Sequence, residues 1–140
     1  HIMGKEFSTN DFQQLKEQAY LMMLKAYAPY SKFLVGAAVL GDSKKIYGGC
    51  NVENASYGVG LCAECSLISN LVMSGGGMLT AFTCVDGHKK ILMPCGRCRQ
   101  LLFEHSSEGM LLQTPLGFRT ISEVLPQAFG PRELKEYHDE

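Results

Sequence analysis

The sequence predicts an α/β domain in which a five-stranded sheet is layered between helices. Three observations predict it. The first periodic segment carries apolar residues at helical spacing, five short apolar runs beyond it read as strands alternating with helical patterns, and Gly, Pro and polar clusters mark the boundaries between them. A length of 140 residues suits one domain with one hydrophobic core.

The elements follow in order. In STNDFQQLKEQAYLMMLKAYAP, Phe12, Leu15, Ala19, Met22 and Ala26 recur three and four residues apart and so share one helix face, with Ser8 or Thr9 as cap and Pro29 as stop. FLVGAAVL, Phe33 to Leu40, reads as a buried strand, and the polar turn GDSKK joins it in a hairpin to a second strand from about Ile46 to Val52. From Leu61 to Ser74 the pattern is helical, and Gly75 to Gly77 ends it. LTAFTCVD and KILM read as strands around the turn at Gly87. Pro94 suits a helix start, which makes Cys95 to about His105 helical. GMLLQ is the last strand, and TISEVLPQAFG and PRELKEYHDE give short C-terminal helices. Cys50 and Cys84 fall inside strand-like runs and read as core. Met22-Met23 reads as helix core or interface filler, Lys44-Lys45 as a solvated turn, His88 as part of a polar turn and His105 as a helix-end residue.

Composition excludes several classes. Apolar residues make up 46% of the chain and charged residues 19%, a globular balance that leaves no room for disorder except at the ends. A net charge of −1 provides no basic patch for nucleic acid or an anionic membrane. No stretch approaches the roughly 18 apolar residues of a membrane span. Six cysteines without a secretory signal point to thiols or metal in a cytoplasmic protein, not to a disulfide framework. His1-Ile2-Met3 reads as a vector remnant ending in the start Met, so residues 4–140 are read as a single domain.

The chemistry is concentrated in two motifs. Cys95 and Cys98, at i and i+3 of a helix start, lie on one face and can share a cation, and Cys62 has a similar setting at the start of another helix. Free backbone N–H groups and the positive dipole end favour thiolates there. Three thiolates leave a zinc ion one open position, which hydrolytic catalysis needs, and Glu64 can reach a water there as general base. Other readings stand beside this one at the level of spacing. A lone C-x-x-C serves as a redox pair, and Cys65 can complete a four-cysteine structural site, since its direction on the helix does not exclude ligation.

The motif C-x-E followed by P-C-x-x-C is that of zinc-dependent nucleobase deaminases, in its all-cysteine form. With YSKFLVGAAVL, NVENASYG, CAE, PCGRCRQLL and the late AFGP in that order, the chain closely resembles the small homotetrameric cytidine deaminases, from the first helix to Pro131. The resemblance implies a three-layer αβα cytidine deaminase-like fold with a mixed five-stranded sheet. It implies Zn2+ on Cys62, Cys95 and Cys98, with Glu64 as proton shuttle. It also implies Asn51 and Glu53 on the ribose hydroxyls, Phe33 against the pyrimidine, Ala63 lining the base pocket, Tyr57 near the sugar, and Phe129 as a ring donated across a subunit boundary. Without the resemblance, Asn51 and Glu53 read as turn chemistry at a strand end, and the three aromatics as core.

The activity so implied is hydrolytic deamination of cytidine and deoxycytidine to uridine and deoxyuridine, with zinc-bound hydroxide attacking C4 and ammonia leaving, as in pyrimidine salvage. The expected partner is a small nucleoside, with no nucleic acid and no membrane. Many members of the resembling family carry an arginine after the glutamate, hydrogen-bonded to a ligand thiolate; this chain has Cys65 there. Compensation of the thiolate charge is therefore expected from the helix starts and from Arg99, directly after Cys98. A non-catalytic zinc module, a deaminase of bases within nucleic acid and a deaminase of a cytosine-containing antibiotic are the competing readings. Glu64 with the Asn51/Glu53 pair argues against the first, and the near-neutral charge with the Cys-led motif against the second. A substrate panel separates the third.

Overall fold

The computed structural model describes residues 9–139. The expected remnant at residues 1–3 and the Ser8 cap lie outside the described residues. The sheet has five strands: β1 (Val35–Gly41), β2 (Ile46–Cys50), β3 (Leu79–Asp86), β4 (Ser106–Thr114) and β5 (Gly117–Thr120), in the order β2-β1-β3-β4-β5. Its β3–β4 pair is parallel and the others antiparallel, so the sheet is mixed as expected. Helices α1 (Thr9–Met23), α2 (Ala63–Met73) and α3 (Gly96–His105) cover it, and short helices α4 (Ile121–Val124) and α5 (Pro131–His138) close the chain. No helix among the described residues is long and apolar enough to cross a membrane.

Strand alternation divides the core into two faces. Ala38 and Leu40 of β1 point to the same side as Ala81 and Val85 of β3 and pack against Phe12, Leu15, Ala19 and Met23 of α1. Ala37, Val39, Phe82 and Cys84 point to the other side, against Leu67 and Leu71 of α2 and Leu102 of α3. Each large side chain fully removed from water this way contributes about 1.5–3 kcal/mol. Two glycines allow helix and sheet to touch: a Cβ on Gly36 would lie 2.0 Å from the Ala19 carbonyl oxygen in α1, and one on Gly49 would lie 2.3 Å from the Ala63 carbonyl oxygen in α2.

Several boundaries differ from the expectations. The first helix ends at Met23, well before Pro29, because Tyr27 pairs its N–H with Asn51 O (3.0 Å) and its carbonyl with the Glu53 N–H (2.8 Å). Met23 is buried where Met22 was expected in the stripe, and Ala26 lies beyond the helix. KILM is not a strand: Ile91 makes only an isolated bridge to Val85, and the chain then bends toward Pro94. The fifth strand is instead Gly117–Thr120, whose last residue the sequence pattern places at the start of a helix. Only Ile121–Val124 of that stretch is helical, held by a capping box between Thr120 and Glu123.

Candidate active site

Two helix N-termini converge on one point. Cys62 is the N-cap of α2, Cys95 the N-cap of α3, and Cys98 sits in the first turn of α3. The lead-in to α2 is fixed by a pair of hydrogen bonds between Val52 and Leu61, 2.9 and 2.8 Å, which set Leu61 just before Cys62. The lead-in to α3 is fixed from β3: Leu92 N–H donates to Cys84 O (3.0 Å), and the Cys84 thiol donates back to Leu92 O (2.9 Å). The sulfurs of Cys62, Cys95 and Cys98 all lie within 4.8 Å of one another. A tetrahedral zinc with its sulfurs at about 2.3 Å would hold them roughly 3.8 Å apart, so this soft donor set fits the ion closely. Cys65 stands outside the group.

The electrostatics suit the same assignment. Burial opposes ionisation of Cys95, but hydrogen bonds from the Cys98 and Arg97 backbone N–H groups and the neighbouring thiols outweigh it and hold that thiol below its ordinary value. Burial pushes Cys62 up, as it does Cys98, where the nearby Glu64 charge adds to the effect. Glu64 is 3% exposed. Burial raises its carboxyl, against the lowering effect of its own backbone N–H and the Cys98 thiol. A carboxyl raised in this way holds a proton more readily than a free one and is suited to proton transfer.

These groups form the floor of a cavity of about 340 Å³, whose walls include Asn51, Glu53, Tyr57, Ala63 and Leu92. Asn51 Oδ1 accepts from Val35 N–H (2.9 Å) and its Nδ2 donates to Phe33 O (2.8 Å). Glu53 Oε1 accepts from the N–H groups of Tyr30 (2.9 Å) and Ser31 (3.1 Å), and Oε2 accepts from the Ser31 hydroxyl. The hydroxyl bond is the main reason the Glu53 carboxyl lies below its ordinary value. Phe33 and Phe129 do not line this cavity; they are 50% and 59% exposed, and Phe129 O accepts from Gln100 Nε2 (2.7 Å). Cys84, read as core from the sequence, is buried and also lines the cavity.

The side-chain hydrogen bonds of Arg99 go to backbone carbonyls. Its Nε donates to Pro94 O (2.8 Å) and its Nη1 to Val124 O (3.2 Å), so it braces the turn before Cys95 against α4. The guanidinium on the thiol side is that of Arg97, whose Nη1 donates to Cys65 Sγ (3.5 Å). The Cys65 hydrogen bond, and then the charges of Cys65, Cys62 and Cys98, raise its pKa. The sequence signal for Arg97 was its place inside P-C-G-R-C, in the same helical turn as two ligand candidates.

A family profile described as "Cytidine and deoxycytidylate deaminase zinc-binding region" matches residues 9–113. The chain is 50% identical over 129 residues to a cytidine deaminase of Mycobacterium tuberculosis, covering 89% of this chain and 97% of the relative. The crystal structure of the M. tuberculosis cytidine deaminase superposes with a TM-score of 0.82 at 50% identity, over 86% of this chain and 98% of that one. The Mycobacterium leprae cytidine deaminase gives 0.81 at 50% identity, over 84% and 98%.

Proposed function

The chain belongs to the cytidine deaminase family, and from that premise we propose that it converts cytidine and deoxycytidine with water into uridine or deoxyuridine and ammonia, in pyrimidine salvage. The observation that carries this reading is the buried Glu64 carboxyl beside three convergent thiols in one cavity. Cys62, Cys95 and Cys98 would hold zinc, which when bound would supply a nucleophile from water near neutral pH. Glu64 takes the proton that water gives up and delivers it to N3 of the cytosine ring as C4 is attacked; it then carries the C4 hydroxyl proton to the amine, so the C4–N bond breaks as the carbonyl forms and ammonia leaves.

Asn51 and Glu53 meet the ribose hydroxyls. Both line the cavity, and both retain capacity: one amide N–H of Asn51 is unused by its two bonds, and a carboxylate accepts about four hydrogen bonds where Glu53 already has three. Ala63 leaves space for the base, and Tyr57 closes the sugar side. Phe33 packs against the pyrimidine, and the exposure of Phe129 supports a homotetramer in which Phe129 of one subunit serves another's site. Residues 4–140 act as a single domain on this reading, and six free thiols support a reducing, cytoplasmic setting. The test is ultraviolet absorbance and ammonia release on cytidine, deoxycytidine, a cytosine-containing antibiotic and single-stranded DNA, with metal analysis of the same sample. One zinc per chain with turnover of the two nucleosides is the expected result. A metal-loaded protein inert toward both nucleosides would sink the reading.

A further inference from the structure

Arg97 takes no part in the chemistry above, yet its side chain is the guanidinium that meets the thiol side of the site. It is exposed on the first turn of α3, and Cys65 belongs to the first turn of α2. Their 3.5 Å contact therefore joins the helix bearing Cys62 to the helix bearing Cys95 and Cys98. Three thiolates around a divalent cation leave a net negative centre. The two helix N-termini return only partial positive charge, and Arg99 is committed to the carbonyls of Pro94 and Val124.

We propose that Arg97 is a positioning residue that Cys65 holds across the two helix N-termini, where its charge offsets the thiolates, retains the metal and keeps it electrophilic. The inference rests on the reading of Cys62, Cys95 and Cys98 as zinc ligands. The identity of residue 65 fits the task. A carboxylate there would grip the guanidinium but cancel its charge; a sulfur is a weak acceptor that orients the group. Lysine at position 97 would bring the charge without the planar fork. Because Arg97 is exposed, salt screens its effect, and at molar ionic strength the screening length falls to about 3 Å.

The test compares zinc-loaded wild type, Arg97→Gln, Arg97→Lys and Cys65→Ala, with melting curves confirming that each is folded. Zinc transfer to a chromophoric chelator is timed at low and high salt, and kcat and KM for cytidine are measured on the same samples. Partners that act behind metal ligands typically change affinity 10–100-fold, so Arg97→Gln should release zinc about tenfold faster at low salt, with kcat lowered more than KM is raised. Arg97→Lys should fall between, Cys65→Ala should show a smaller change than Arg97→Gln, and the differences should shrink at high salt. Equal release from Arg97→Gln and wild type at low salt overturns the proposal. So does a loss that salt does not alter and lysine does not relieve. A wild type that binds no zinc or leaves cytidine intact overturns the underlying reading before any variant is compared.

Discussion

At the scale of single residues, Glu64 carries the sharpest consequences. Its carboxyl is buried and lies above its ordinary value of 4.5. The folded chain therefore holds that proton more tightly than the unfolded chain, and as pH rises past 4.5 ionising Glu64 costs the fold an increasing amount until the folded pKa is passed. Glu64→Gln removes that cost. With zinc stripped, the variant should melt above wild type at neutral pH, and the gap should close as pH falls below 4.5. With zinc bound, the same variant should keep its metal but lose turnover by about a hundred- to ten-thousand-fold, measured by single-substrate kinetics, since glutamine can neither take nor return a proton. The placement of Glu64 beside the thiols was legible because its offset from Cys62 is a local property of the chain. Which arginine hydrogen-bonds a thiol was not: Arg97 and Arg99 both flank Cys98, and chain adjacency cannot tell which reaches Cys65 Sγ and which turns to Pro94 and Val124.

At the scale of elements, the site depends on how closely α2 lies on β2. A Cβ at Gly49 would meet the Ala63 carbonyl oxygen at 2.3 Å, Ser66 Oγ at 2.5 Å and Leu67 N at 2.7 Å. Two of these are backbone atoms of the turn that carries Glu64 and Cys65, so the helix itself would have to move. Gly49→Ala should destabilise by about 1–3 kcal/mol in chemical denaturation, as overpacking does, and should weaken zinc binding measured by chelator competition. An unchanged zinc affinity would show that α2 placement is not what sets the cluster. The helices α2 and α3 were readable from sequence because apolar periodicity and Gly or Pro signals act locally, whereas α1 stops before Pro29 and most of TISEVLPQAFG is not helical. The strands were harder. KILM has the composition of a strand but finds only a bridge at Ile91, while Gly117–Thr120 becomes a strand through its pairing with Leu111–Thr114 across a short turn. That pairing depends on a neighbour, and no property of the four residues alone announces it.

At the scale of the whole molecule, Phe33, Tyr57 and Phe129, and Leu134 and Tyr137 of α5, expose apolar surface. If Phe129 serves a neighbour's cavity, two defective chains should repair each other. Mixing Phe129→Ala with Glu64→Gln after mild dissociation should restore cytidine turnover above the sum of the separate variants, because some sites then combine an intact Glu64 with an intact ring. A strictly additive result would place the ring in its own subunit's site. The sheet topology bears on kinetics as well. Cys62 lies on the connection from β2 to β3, and Cys95 and Cys98 lie on the crossover between the parallel strands β3 and β4. The three sulfurs can meet only after the central strands have paired over long sequence distances, a late event along the folding route. Zinc should therefore act on the exit from the native state and leave the approach to it alone. In stopped-flow experiments, adding the metal should slow the unfolding arm of the denaturant profile and leave the refolding arm unchanged.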